Sequence, residues 1–221
     1  MPAPVSVIIT ALDEERRIAR AIDSAFAAGA AEVIVADGGS SDRTIAIARE
    51  RGARIVSGES MRSRQMNRGA ASAAHENLIF LHADTTLPAN AATLVHAALE
   101  RFEFGGFHLR FEEVASELRL AAMLINLRTS FTGCPWGDQA QFVRRDAFLR
   151  GGGFREIPIM EDYELAVRMK RRSTVLREKV TTSGRRFLEK GLFRTAAINW
   201  RIIAKYRLGA DVEELARLYR T

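Results

Sequence analysis

Three aspartates stand at or just past the ends of β-forming runs: Asp13 after residues 5–10, Asp37 closing residues 32–37, and Asp84 after residues 78–82. The most telling stretch is Leu78-Ile79-Phe80-Leu81-His82-Ala83-Asp84, which ends abruptly on a histidine and a carboxylate before Thr85, Thr86 and Pro88. It reads as a buried strand. In an open α/β sheet the loops past such strand ends form the crevice where ligands sit, while the strand is held rigid by its neighbours. Asp84 therefore reads as the centre of the site. The alternative for one such acid is simple capping of a helix begun at Pro88, but three acids around one crevice are harder to dismiss. A further acid pair, Glu161-Asp162, opens a later helical pattern, where it could equally complement a helix dipole.

Positioning these groups takes alternating elements. Residues 5–10 form an apolar strand, and Asp13-Glu14-Glu15 then open an amphipathic helix with Ile18, Ala21, Ile22, Ala25 and Phe26 on one face, closed by Gly29. The strand at 32–37 runs into Gly38-Gly39-Ser40-Ser41-Asp42, a turn feeding a helix at 44–51 that Gly52 stops. Residues 54–56 make a third strand, a helix rich in small residues spans 62–74, and the strand ending at Asp84 follows. Such alternation builds parallel βαβ units with right-handed crossovers and functional loops on one edge. After a helix from Pro88 to about 101 the pattern changes. Residues 102–111 alternate around Gly105-Gly106, as in a strand with a bulge or sharp bend. A helix at 114–128 shows Leu118, Ala121, Ala122, Ile125 and Leu127 on its apolar face. The loop 132–139 leads to a short strand at 140–143 and a helix ending at Gly151-Gly152-Gly153. A helix at 161–171, an edge strand at 174–182 and a C-terminal helix from about Lys190 complete the chain.

With 221 residues, 47% of them hydrophobic and 27% charged, the chain suits one well-packed domain, and no repeat, low-complexity tract or linker divides it. The lone Cys134 excludes an internal disulfide and a cysteine-built zinc site, which points to a reducing compartment. The first residues lack the basic n-region of a signal peptide, and the longest charge-free helical run, 120–127, is far too short to cross a bilayer. A cytoplasmic protein is expected. The net charge of +6 is concentrated between Arg185 and Arg207, where Glu189 is the sole acid among Arg185, Arg186, Lys190, Arg194, Arg201, Lys205 and Arg207. Such a segment fits an anionic partner (phosphates, an acidic membrane surface or nucleic acid) or a solvated basic face.

The segments Ser6-Val-Ile-Ile-Thr-Ala-Leu-Asp-Glu-Glu15, Val33-Ile-Val-Ala-Asp-Gly-Gly-Ser-Ser-Asp-Arg-Thr44, Leu81-His-Ala-Asp84, Trp136-Gly-Asp-Gln139 and Glu161-Asp162 follow the order seen in family 2 glycosyltransferases of the GT-A fold. More narrowly, the chain resembles the small bacterial branch associated with radical-SAM and selenoprotein domains. The likeness spans about residues 5–187; each motif alone is weakly specific, and the series is strong.

The resemblance implies an α/β, GT-A-like nucleotide-diphospho-sugar transferase fold with a mostly parallel central sheet flanked by helices. It implies one domain over 1–221, with a nucleotide-sugar half at 1–101, an acceptor and catalytic half at 102–189, and basic amphipathic helices at 190–221. It also implies transfer of a sugar from a nucleotide-diphosphate donor. Charge grows on the departing pyrophosphate, so a divalent cation or basic side chains must neutralise it. Asp84 matches the position that holds Mg2+ or Mn2+. The chain departs from the family in having His82 where a second aspartate is usual; His82 is expected to bond the ribose or support the site from behind, with ligation of Mn2+ the less favoured alternative. Ala11, Asp13, Asp37 and Gly38 match the nucleoside site. Arg62 and Gln65, with Asn67, match a polar row whose leading glycine is here Met61; a solvated helix face is the alternative. Asp42 reads as an ordinary helix cap. Asp162 matches the general base of an inverting transfer, with Glu161 orienting it. Trp136, Asp138 and Gln139 suit a sugar acceptor, by ring stacking and hydroxyl bonds, and Arg185 and Arg186 suit the diphosphate.

The final helix carries Leu192, Phe193, Ala196, Trp200 and Ile203 on one side among basic residues. Core packing or a dimer contact is the plain reading, and contact with a membrane surface, for a lipid-linked acceptor, the sharper one. Other classes fit less well. A sugar-phosphate nucleotidyltransferase would show a glycine-rich, basic N-terminal loop, which 5–20 lacks, and a dinucleotide-dependent oxidoreductase needs Gly-x-Gly-x-x-Gly where this chain has Ala11-Leu-Asp-Glu-Glu15. A non-enzymatic nucleotide- or anion-binding module, including a nucleic-acid binder, would use the basic C-terminal region but would not require acids at several strand ends.

Overall fold

Parallel pairing of four apolar runs sets the frame: β1 (Val5–Ala11), β2 (Glu32–Asp37), β3 (Arg54–Ser57) and β4 (Asn77–His82). The computed structural model from which this is read describes residues 3–220, without the side chains of Phe193 and Arg220. Helices α1 (Ile18–Ala27), α2 (Thr44–Glu50) and α3 (Arg62–Ser72) make the crossovers, and α4 (Ala91–Leu99) follows β4. Then come β5 (Phe104–Phe111), α5 (Ser116–Thr132), β6 (Phe142–Arg144), α6 (Arg145–Arg150), α7 (Glu161–Met169), β7 (Ser173–Thr182), and α8 (Arg185–Lys190), α9 (Leu192–Arg207) and α10 (Val212–Arg220).

The strands form a seven-stranded sheet in the order β3-β2-β1-β4-β6-β5-β7. Only β6 runs against its neighbours, so the sheet is mostly parallel, with β7 at one edge as expected. Because side chains alternate across a strand, each face of the sheet has its own core. Val7 and Ile9 pack with Ile18, Ile22 and Val95 on one face. On the other, Ile8, Ile34 and Phe80 pack with Met66, Phe148 and Phe154. A third, smaller core joins Met160 and Tyr163 to Ile202, Ile203 and Leu215 of α9 and α10, which fastens the C-terminal helices to the start of α7.

Four local expectations are corrected. The first helix begins at Ile18, not at Asp13, because Asp13 turns into the left-handed region (φ 52°) and the first turn closes onto Glu14. Irregularity in β5 lies at Phe107/His108 against β7, not at Gly105-Gly106. Those glycines serve close packing: a Cβ on Gly105 would lie 2.4 Å from the Phe142 ring, and one on Gly106 2.4 Å from Pro135. The apolar face of α5 is Leu118, Ala121 and Ala122, with Ile125 partly buried, while Leu127 is 64% exposed. The C-terminal helix expected from about Lys190 is two helices, α9 and α10, set off from the short α8 by Gly191, whose φ is 80°, and separated from each other after Arg207. Among the described residues, no helix is long and apolar enough to cross a membrane.

Candidate active site

The ends of β1, β2 and β4 lie level, since Ala11 pairs with Asp37 and Thr10 with both Ala36 and His82. Two groups of side chains gather along this rim.

The first group closes the ends of β1 and β2. Asp37 is fully buried, and its carboxylate accepts from the Gly39 N–H at 2.8 Å and from Ser40 Oγ at 2.5 Å. Asp13 accepts from the Ser41 N–H at 2.8 Å, which ties the first loop to the second. Asp42 accepts from the Thr44 N–H at 2.9 Å, the helix-start role expected of it. Gln65 of α3 is buried and donates Nε2 to the carbonyls of Ala11 (2.9 Å) and Ala36 (2.8 Å), with Gly38 against its amide. Ala11, Asp13, Asp37, Gly38 and Gln65 thus form one pre-shaped lip of backbone and amide.

The second group walls a cavity of about 480 Å³ between the rim and the C-terminal helices. Arg62, His82, Asp84, Trp136, Asp138, Glu161, Asp162 and Arg186 all line it, so α3, β4, the 132–139 loop, α7 and α8 converge there. The wall on the sheet side is charged; the wall from α8 and α9 is largely apolar, with Phe187, Leu192, Ala196 and Trp200. Asn67 bonds the backbone of Phe154 and is not in the lining. Arg185 is not part of the lining and pairs with Glu189 at 3.6 Å. Arg186 stacks on Tyr219, 3.5 Å from the ring centroid.

Within this wall the bonds are specific. Asp162 Oδ2 accepts from the Gly137 N–H at 2.6 Å and Oδ1 from the Tyr163 N–H at 2.7 Å. Arg62 Nε donates to Glu161 Oε1 at 2.7 Å, and its Nη2 lies 3.6 Å from Asp162 Oδ2. Burial works against the Arg62 cation, but Glu161 and Asp162 outweigh it and hold its pKa above the ordinary arginine value. Met160, just before this acid pair, has a left-handed backbone (φ 71°), a cost of roughly 1–2 kcal/mol that its packing on Tyr163, Ile202 and Ile203 offsets. Burial, reinforced by Arg62, pushes the His82 imidazole down to about 4, so it is neutral at neutral pH. The Asp84 carboxylate accepts from Thr85 Oγ1 at 3.2 Å, and that hydroxyl in turn accepts from Thr182 Oγ1 at 2.9 Å, which anchors the Asp84 turn to β7.

Gln139 is fully buried. Its Oε1 accepts from the Trp136 N–H (3.1 Å), Thr129 Oγ1 (2.9 Å) and Arg128 Nη2 (3.0 Å), and its Nε2 donates to the Phe107 carbonyl (2.9 Å). It therefore braces the loop, and its amide is committed to the protein. Trp136 borders the cavity with the Arg128 guanidinium over one face of its ring, 3.5 Å from the centroid. Sequence reasoning missed Arg128, which also lines the cavity. An arginine near the end of an apolar helix reads as a complement to the helix dipole, and nothing in its local sequence marks it otherwise.

The sequence profile described as "Glycosyl transferase family 2" matches residues 6–147, more than half the chain. The chain belongs to that family. This family 2 glycosyltransferase has the GT-A fold, to which its likeness to solved structures attests. A mannosyltransferase from Pyrobaculum calidifontis, solved with GDP-Man and Mn2+, superposes with a TM-score of 0.67 at 16% identity, over 99% of this chain and 69% of that one. S. aureus TarS 1–349 gives 0.64 at 14%, over 98% and 69%. Glucosyl-3-phosphoglycerate synthase from Mycobacterium tuberculosis, solved with Mn2+, UDP and phosphoglyceric acid, gives 0.61 at 20%, over 95% and 80%. No curated protein matches the glycosyltransferase in sequence.

Proposed function

We propose that this glycosyltransferase moves a hexose from a nucleotide-diphosphate sugar to an acceptor hydroxyl with inversion, and that Asp162 is the general base. The observation that carries the reading is the convergence of Asp162, Asp84, Arg62 and His82 on one cavity beside the strand ends of a GT-A sheet. Backbone N–H groups fix both oxygens of Asp162, and each retains a lone pair for the proton of an incoming hydroxyl. Arg62, bonded to Glu161 and close to Asp162, holds this acid pair in place, while burial pushes the Glu161 carboxyl up.

The lip formed by Ala11, Asp13, Asp37, Gly38 and Gln65 is the proposed nucleoside site, in the 1–101 half, with His82 bonding the ribose. Arg186, at the cavity, is the arginine better placed for the diphosphate than Arg185. Among the described residues no group of three or more histidine, cysteine, aspartate or glutamate side chains has a metal-holding arrangement. That suits Mg2+ or Mn2+ bound through one carboxylate, since these ions take their remaining ligands from water and substrate phosphates. Asp84, with oxygen donors to spare, is the residue that would hold the ion, which when bound would neutralise charge on the departing pyrophosphate. Two solved GT-A structures that contain Mn2+ support this.

The acceptor and catalytic half at 102–189 and the helices at 190–221 offer the acceptor their largely apolar surface. A lipid-linked acceptor at the inner face of a cytoplasmic membrane fits both that wall and an exposed apolar stripe on α5: Leu120, Met123, Leu124, Leu127 and the 91%-exposed Phe131. Trp200 of α9, 64% exposed, adds to it, and Arg119, Arg194 and Arg201 are exposed on the same two helices. The narrower kinship with the branch associated with radical-SAM and selenoprotein domains rests on the sequence motifs.

The test is a thermal-shift panel of nucleoside diphosphates and nucleotide sugars with and without Mn2+. A ligand that binds only the native state raises the melting temperature by mass action, and one nucleoside diphosphate is expected to do so only with metal present. If none stabilises the protein and every donor is inert, the transferase reading fails.

A further inference from the structure

Arg128 and Asp138 are left incomplete by the protein itself. Among the described residues, Arg128 Nε and Nη1 and Asp138 Oδ1 are buried without a hydrogen-bond partner, and both side chains line the cavity that holds Asp162. The orphan atoms are not the product of a loose side chain. Arg128 Nη2 is tied to Thr129 Oγ1 at 2.8 Å and to Gln139 Oε1 at 3.0 Å, and the guanidinium carbon lies 3.5 Å from the centroid of the Trp136 ring. Asp138 sits on the single helical turn Gly137–Gln139, held at one end by the Gly137–Asp162 bond and at the other by buried Gln139. A buried donor or acceptor without a partner costs stability, and more so when charged, so two such groups in one cavity wall point to a ligand that completes both.

We propose that Arg128 and Asp138 are the subsite that reads the ring hydroxyls of the transferred sugar. The inference rests on the glycosyltransferase reading and specifies which side chains select the donor's sugar. A hydroxyl group satisfies both partners, because it accepts from a guanidinium N–H while it donates to a carboxylate. A phosphate or carboxylate would suit Arg128 and be repelled by Asp138; an amine would suit Asp138 and be repelled by Arg128. The pair lines the cavity with Asp84 and Asp162, the proposed ion holder and base, and the sugar being transferred must lie between those two groups. That placement assigns the pair to the donor's sugar and leaves Phe187, Leu192, Ala196 and Trp200 to the acceptor; Thr195 Oγ1, among the described residues the other buried and unpartnered group in the lining, belongs to α9. Burial also pushes the Asp138 carboxyl up to about 6, as expected for an acid whose counter-group comes from a ligand.

The experiment compares Arg128→Met and Asp138→Asn with the wild type by calorimetric titration in Mn2+. The probes are UDP against UDP-glucose and UDP-N-acetylglucosamine, and GDP against GDP-mannose. For the donor that the wild type binds, each variant is expected to raise the nucleotide-sugar Kd by about tenfold or more, the loss of a hydrogen bond to a charged group. Its Kd for the bare nucleoside diphosphate should stay within about twofold, which also shows that the variant is folded. Unchanged nucleotide-sugar affinity in both variants overturns the subsite. So does an equal loss for sugar-bearing and bare nucleotides, which would mark a merely structural role. A wild type that binds no nucleotide at all would instead sink the transferase reading beneath it.

Discussion

The Gly137 N–H donates to Asp162 Oδ2 at 2.6 Å, so the backbone of one loop aims the carboxylate at the start of α7. A Cβ on residue 137 would lie 2.9 Å from that oxygen, 3.0 Å from His82 Nε2 and 3.2 Å from Arg62 Nη2. Three side chains from three elements therefore crowd one hydrogen atom of a glycine. Gly137→Ala is expected to keep the fold and nucleotide binding and to lower the transfer rate by about 100-fold, since small displacements of a positioned group are costly. Asp162→Asn should bind nucleotide normally and lose transfer by about 100-fold or more. Single-turnover assays check both, and full activity in Asp162→Asn would remove that residue as the base.

Asp84→Asn tests the proposed cation site separately. The amide keeps the shape of the side chain and its contact with Thr85 but discards the charge that a hard cation needs. The stabilisation that Mn2+ adds to nucleotide binding is expected to vanish, with little change in melting temperature without ligand. A metal-dependent shift of wild-type size would place the ion elsewhere.

The Asp138 carboxyl also predicts a pH signature. Its folded pKa, about 6, lies above the ordinary aspartate value of about 4, so between those pH values the folded state holds more protons than the unfolded one. Stability from this group is present at low pH and is lost as pH rises through 6. His82, pushed down to about 4, acts with the opposite sign over part of the same range, so the whole-protein profile does not isolate Asp138. The difference does. Asp138→Asn is expected to gain melting temperature over the wild type as pH rises from 4 to 7, and a constant difference would contradict the burial of that charge.

On α5, Leu127→Glu combined with Phe131→Glu replaces two exposed apolar side chains and touches no buried core residue. The double variant should keep the wild-type melting temperature within about 1 °C, as expected of surface changes. Its association with anionic phospholipid vesicles should fall sharply in a co-sedimentation assay. Equal sedimentation would detach the stripe from any membrane role.

Much of this molecule was legible before any coordinates. The alternation of apolar runs and helical faces determined the parallel βαβ frame, because each run had to be buried on both sides and each crossover needed a helix. Those runs also placed Asp37 and Asp84 at strand ends, since a charged residue cannot continue a doubly buried strand, and the motif order pointed to the family. Other features were settled only by folding. Nothing in the spacing of Asp162 and Gly137, 25 residues apart, showed that they would bond. Nor did it show that Gln65 and Gln139, polar residues in apparent reach of a ligand, would spend their amides on strand carbonyls and loop donors. Arg128 carried no mark in the sequence, yet it sits over the Trp136 ring with two of its nitrogens buried and unpartnered. Local sequence decides which segments become strands and helices because backbone bonding and side-chain alternation are local. Which polar atom meets which depends on contacts between segments far apart in the chain, and those exist only once the sheet and its covering helices have closed.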